Sequence, residues 1–213
     1  MRRITMHHVI KLTDLSYLRL KKMEERGQLA LAWSRPHLFA KMAFWEVDAM
    51  ALLIAEALRP RFGRKIAGQI VRCWWHIWLQ CVAKSEEERE PPPVYFAVLQ
   101  FELPNGKTAH LCAVAEGNVD AALLERARSY SDGEVMLTTV DVTRLIGFMR
   151  KQAAKHNIDL SGAFLPALDH HETQELIKRS SDKWDDAMNE ARARRDGERC
   201  RKFAETHIGE RLQ

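Results

Sequence analysis

Long apolar runs are missing from this chain of 213 residues. No stretch approaches the ~18–20 residues that a bilayer span needs, and the opening Met1-Arg-Arg-Ile-Thr-Met-His-His8 lacks a signal-peptide hydrophobic region. A cytoplasmic, nucleoid-associated protein with no membrane partner is expected. Cysteine is scarce. Cys73, Cys81, Cys112 and Cys200 are widely scattered, which argues against a disulfide framework and for reduced core thiols. The near-motifs Cys73-x-x-His76, His110-x-Cys112 and His170-His171-Glu172 never form the double pair of a structural zinc site, so no metal is expected. Glycine-rich signatures are absent too. Without a phosphate loop after a strand or a Gly-x-Ser-x-Gly elbow, neither nucleotide chemistry nor acyl transfer is supported. Gly117-Asn-Val-Asp120 and Asp169-His-His-Glu172 hold suitable residue types, but 29 acidic residues and nine histidines produce such clusters by composition alone. No enzyme, catalytic residue or cofactor is expected.

What is present is an uneven charge. The net +4 combines a basic front with an acidic remainder: residues 1–84 hold 15 Lys and Arg against 6 Asp and Glu, the rest 18 against 23. An excess of cations at one end is what a phosphate-binding head requires. The basic part contains two short helical patterns separated by a tight turn. Thr5 can cap the first, in which Met6, Val9 and Ile10 recur at helical spacing. Thr13-Asp14-Leu15 turns the chain, and Asp14 suits a left-handed corner. Ser16 then caps a second helix that Gly27 ends. At about 100° per residue, Leu20, Met23 and Gly27 share one face with Ser16, while Leu18, Lys21, Lys22 and Glu25 fall opposite. This is a helix-turn-helix pattern whose second helix would enter a DNA major groove.

Ser16, Leu20, Glu24, Gly27 and Leu29, with Leu12-Thr13 before the turn, resemble the winged-helix DNA-binding domain of MerR-type regulators and the related excisionases. Phe44-Trp45-Glu46-Val47-Asp48 looks like that family's opening of the next helix. The resemblance covers about residues 4–58. It departs at the turn, where Asp14 replaces glycine, and at Lys21 and Lys22-Met23, where the family has arginine and an aromatic pair. Leu29 to Trp33 and Leu38 to Ala43 would be the wing's strands, around a tip without the usual Asn-Gly.

The next pattern is a helix from Phe44 to Leu58, ended at Arg59-Pro60-Arg61-Phe62-Gly63 by the proline. A tryptophan-rich helix from Arg64 to about Lys84 follows. Ile66, Ile70, Cys73, Ile77 and Cys81 form its seam, Trp74 and Trp78 widen it, and Trp75 and His76 lie off it. Ser85 to Pro93 reads as a stiff acidic and proline linker. Beyond it the period becomes two. Val94–Leu103 and Thr108–Ala115 are strands around the hairpin signal Pro104-Asn-Gly-Lys107. Val119 to Tyr130 is helical, Glu134 to Val140 is a strand, and Asp141 caps a last helix.

The expected fold is α+β. It divides into a winged helix-turn-helix with helical extension (1–84), the linker (85–93), a small ββαβα oligomerisation or effector domain (94–158) and a charged helical or partly disordered tail (159–213). Tyr17 and Leu18, at the helix head, are the candidates for base contact, with Leu18 suited to a thymine methyl. Ser16, Arg19, Lys21, Lys22 and Arg26 are candidates for phosphate, and Arg35, His37 and Lys41 for the wing tip. The expected partner is double-stranded DNA, bound by a homodimer because one short helix covers few base pairs. The C-terminal region is available to a protein partner. A bacterial or phage transcription regulator is the first expectation. The alternatives are an excisionase-like architectural protein and a protein–protein module on a helix-turn-helix scaffold.

Overall fold

The computed structural model describes residues 3–26, 28, 44–87, 92–103, 106–117, 124–125, 128 and 133–160. They form an α+β structure of five helices, a two-stranded pairing and a three-stranded antiparallel sheet. The first elements are β1 (Arg3–Ile4), α1 (Met6–Thr13) and α2 (Tyr17–Glu25). Thr5 caps α1, accepting the His8 N–H at 3.3 Å, and its own N–H donates to His8 Nδ1 at 3.4 Å. Val9 and Leu12 carry α1 into the core, with Met6 and Ile10 packed beside them. Asp14 turns the chain at φ 57°, the left-handed corner that short polar side chains tolerate.

The chain re-enters at β2 (Phe44–Trp45), whose residues pair with β1 as Ile4↔Phe44 and Arg3↔Trp45. The helix expected from Phe44 therefore starts two residues later, as α3 (Glu46–Cys73). Trp45 holds its N-cap position and donates its N–H to Asp48 Oδ2 at 2.9 Å. Pro60 does not end it. Helical geometry persists through Pro60, and the break falls at Gly63, with φ 70° and ψ 166°. Leu58 and Phe62, both buried, hold the turn around the proline in place, while only glycine enters the backbone region found at 63 without strain.

A second break at Trp74 separates α3 from α4 (Trp75–Glu87). The apolar seam differs from the expected one: Ile66 and Cys73 are exposed, whereas Ala67, Gly68, Ile70, Val71, His76, Trp78, Leu79, Cys81 and Val82 are buried. At Gly68 the constraint is steric: an added Cβ would meet the Gln28 carbonyl oxygen at 3.2 Å, so that position is small where Gln28 packs on it. Trp78 is fully buried and donates its indole N–H to Val71 O at 2.9 Å.

The sheet comprises β3 (Val94–Glu102), β4 (Thr108–Glu116) and β5 (Met136–Asp141), with β3 central. Five residues, 103–107, join β3 to β4. Leu103 N–H donates to Lys107 O at 2.8 Å, Gly106 N–H to Leu103 O at 2.9 Å, and Gly106 takes φ 74°. A two-residue turn on Asn-Gly would need an N–H from position 104, which proline lacks. Asp141 caps α5 (Val142–Lys155), accepting the Arg144 N–H at 2.8 Å.

One face of the sheet, with Val94, Phe96, Val98, Cys112 and Val140, joins a buried cluster that extends from Ile4 to Ala153. The other packs Leu99, Phe101 and Leu111 with Leu124 and Trp74. Helix α5 lies against both α4 and α1. The expected linker begins as helix, because α4 runs to Glu87. Ser85 is buried there, its Oγ 3.0 Å from Thr143 Oγ1, which also accepts the Val94 N–H at 3.0 Å. Residues 88–91 lie outside the described residues, as do most of the expected 119–130 helix and, in the tail, residues 161–213; Leu124, Glu125 and Arg128 are helical. Among the described residues no helix is long and apolar enough to cross a membrane.

Candidate nucleic-acid interface

Helix α2 is anchored from beneath and open above. Leu20 and Met23 are buried, while Leu18, Lys21, Lys22 and Glu25 are exposed, which is the division its sequence spacing requires. Ser16 accepts the Arg19 N–H at 3.3 Å and so spends its acceptor on the cap. At the other end the Gln28 N–H donates to Met23 O at 2.7 Å. This six-to-one bond satisfies one carbonyl of the last turn; Gly27, the expected C-cap, lies outside the described residues.

Beside Ser16, the nine other candidate residues fall into four groups. Tyr17 and Leu18 sit in the first turn, 48% and 67% exposed, and Ile66 is the other large exposed apolar residue among those described. Lys21, Lys22 and Arg26 are exposed on the same helix or at its end, with Lys21 Nζ 4.0 Å from Glu25 Oε1. Such an exposed pair is worth little and leaves the lysine available. Arg19 differs: its guanidinium is bound to the Glu56 carboxylate of α3, which also takes Arg59 Nε at 2.9 Å. Arg19 thus ties α2 to its support. Arg35, His37 and Lys41, with the wing strands, lie outside the described residues.

A further element lies beside this helix pair, and nothing in the local sequence pattern marks it. The end of α5 reaches the α1–α2 turn, where His156 lies close enough to Lys11, Lys155, His7 and Asp14 to feel their charges. Desolvation first, and then Lys11, Lys155 and His7, hold its imidazole below the ordinary value, against the opposing pull of Asp14. Sequence separation hid this proximity, since α5 lies more than a hundred residues after α1.

Burial also shifts His76, Cys81 and Cys112, which are buried, and His110, which is half-buried. Burial lowers the His76 and His110 pKa values, and the His110 ring meets Phe62 edge-on at 5.5 Å. Burial pushes the Cys81 thiol up to about 12 and the Cys112 thiol well above its usual value. Cys73, expected in the core, is exposed, and Cys200 lies outside the described residues. Among the described residues no three His, Cys, Asp or Glu side chains are grouped to hold a metal ion. Compared with known proteins, the chain matches no family model and no curated sequence.

Proposed function

We propose that this protein is a sequence-specific DNA-binding transcription regulator whose residues 4–58 act as a winged helix-turn-helix. The observation that carries the reading is the head of α2. Two large apolar side chains, Tyr17 and Leu18, face solvent in its first turn, beside Lys21 and Lys22. Exposing Leu18 has no folding benefit, whereas a major groove offers base edges and thymine methyls to the first turn of such a helix. Lysines alongside meet phosphate. The capped ends, the left-handed Asp14 and the Arg19–Glu56 tie hold this head at a set angle. A two-fold dimer would place two such heads about 34–36 Å apart.

Genomic binding-site mapping of the tagged chain, followed by titration on the recovered sites, tests the proposal. Leu18→Ala should change sequence preference, and an equal loss on every site would reject base readout. Lys22→Ala should weaken all sequences alike and lower the salt exponent by about one. Sites clustered at attachment sequences instead of promoters would favour the excisionase-like role. A protein–protein module is favoured by one feature, the near balance of charge on α2, where Arg19, Lys21 and Lys22 face Glu24 and Glu25. Absent or salt-insensitive DNA binding would select it.

A further inference from the structure

The strongest unbalanced charge among the described helices is on α5. Its fourteen residues hold Arg144, Arg150, Lys151 and Lys155 and no acid, whereas α2 offsets three cations with two acids. Val142, Ile146, Met149 and Ala153 bury the inner side. Outside, Arg144, Lys151 and Lys155 are exposed, and their spacing sets them on one line to within about 20° over ~16 Å of helix. Among the described residues none of the three forms an ion pair. Beside them Gly147 and Ala154 are exposed, and a Cβ at Gly147 would have nothing within 4 Å, so the approach is open.

The helix dipole favours a cation in the last turn and so accounts for Lys155. It disfavours Arg144 in the first turn and is silent about the middle. Position supplies the rest. Helix α5 packs on α1, and the residue after Lys155, His156, adjoins Lys11, His7 and the turn residue Asp14. The cationic line therefore ends on the side of α1 and its turn into α2.

We infer that the outer face of α5, through Arg144, Lys151 and Lys155, is a second phosphate-binding surface that takes the duplex backbone flanking the groove entered by α2. The inference rests on the DNA-binding reading above. Over ~16 Å of duplex each strand offers about five phosphates, enough for all three cations. These contacts carry no base information. They raise affinity and set the orientation of α2.

The test is titration of the full chain with mixed-sequence duplex DNA, by fluorescence anisotropy, between about 50 and 200 mM salt. The Lys151→Ala/Lys155→Ala double variant should lose about two units of salt exponent, and Arg144→Ala about one. Lys151→Arg/Lys155→Arg should keep the wild-type exponent, and melting curves should show every variant folded, since these side chains are exposed. A wild-type exponent in the double variant, with Lys22→Ala still lowering it, overturns the α5 surface and leaves the reading of α2 standing. Wild-type protein that shows no salt-dependent duplex binding overturns both. Anionic phospholipid vesicles serve as a second probe. Loss of vesicle binding in the double variant with duplex binding unchanged assigns the face to a lipid surface and overturns the inference.

Discussion

Two glycines show how a single residue acts differently by backbone alone. Gly63 and Gly147 both have nothing within 4 Å of a built Cβ, so packing does not distinguish them. Gly63 sits at φ 70° and ψ 166°, a region nearly closed to other residues, while Gly147 is inside a regular, exposed helical stretch. Gly63→Ala should lower stability by about 1–3 kcal/mol. Gly147→Ala should raise it by about 0.5–1 kcal/mol, because glycine is a poor helix former. Urea unfolding of the two variants checks both signs, and a stabilised Gly63→Ala would show that the kink is not required. Asp14 is the residue-scale feature most legible beforehand. A sharp turn between two capped helices demands a left-handed corner, and Asp is among the few non-glycine residues that accept it.

At the scale of elements, hydrophobic period located the helices and strands but misplaced the seam of the tryptophan-rich segment. Apolarity put Ile66 and Cys73 inward, both of which are exposed, together with Ile70, Ile77 and Cys81, which do meet the core. The chain instead turned Ala67 and Gly68 inward, and Gly68 meets the backbone at Gln28. A pattern of hydrophobicity carries no information about how closely a neighbour approaches. In α4, beyond the break at Trp74, His76 is buried, and Phe62, beside the kink at Gly63, meets His110. Both imidazoles are held below their ordinary value by burial. In the unfolded chain they take up protons near the ordinary imidazole value of 6.5, before the folded state does. Stability is therefore full above that pH and falls as pH drops below it. Stability measured from about pH 7.5 to 5.5 should decline, and His76→Gln with His110→Phe should flatten the decline. An unchanged slope in the double variant would assign the pH dependence to other groups.

For the whole molecule, the buried cluster from Ile4 to Ala153 makes the basic front and the sheet pack on common residues. Helix α5 closes the arrangement by touching α1, α4 and β3. Cys81 and Cys112 are buried in that cluster, with thiols pushed far from ionisation, whereas Cys73 is exposed. Alkylation at mildly alkaline pH, mapped by peptide mass, should modify Cys73 at once. Cys81 and Cys112 should react together, and only as fast as the molecule unfolds, since thiolate is the reactive species. Early labelling of Cys112 alone would show that the sheet opens independently of the helices.

By itself the sequence determined the local matters: caps at Thr5, Ser16 and Asp141, the left-handed turn at Asp14, the outward set of Leu18, Lys21 and Lys22, and the change from helical to strand period after Pro93. Each depends on a residue and its immediate neighbours, so chain order contains the information. Tertiary structure alone decided that Arg19 belongs to Glu56, that Gly68 lies under Gln28, and that the cations of α5 lie beside the turn into α2. Those are contacts between residues tens to more than a hundred positions apart. They come from how helices and sheet share one buried core, and no spacing along the chain encodes that.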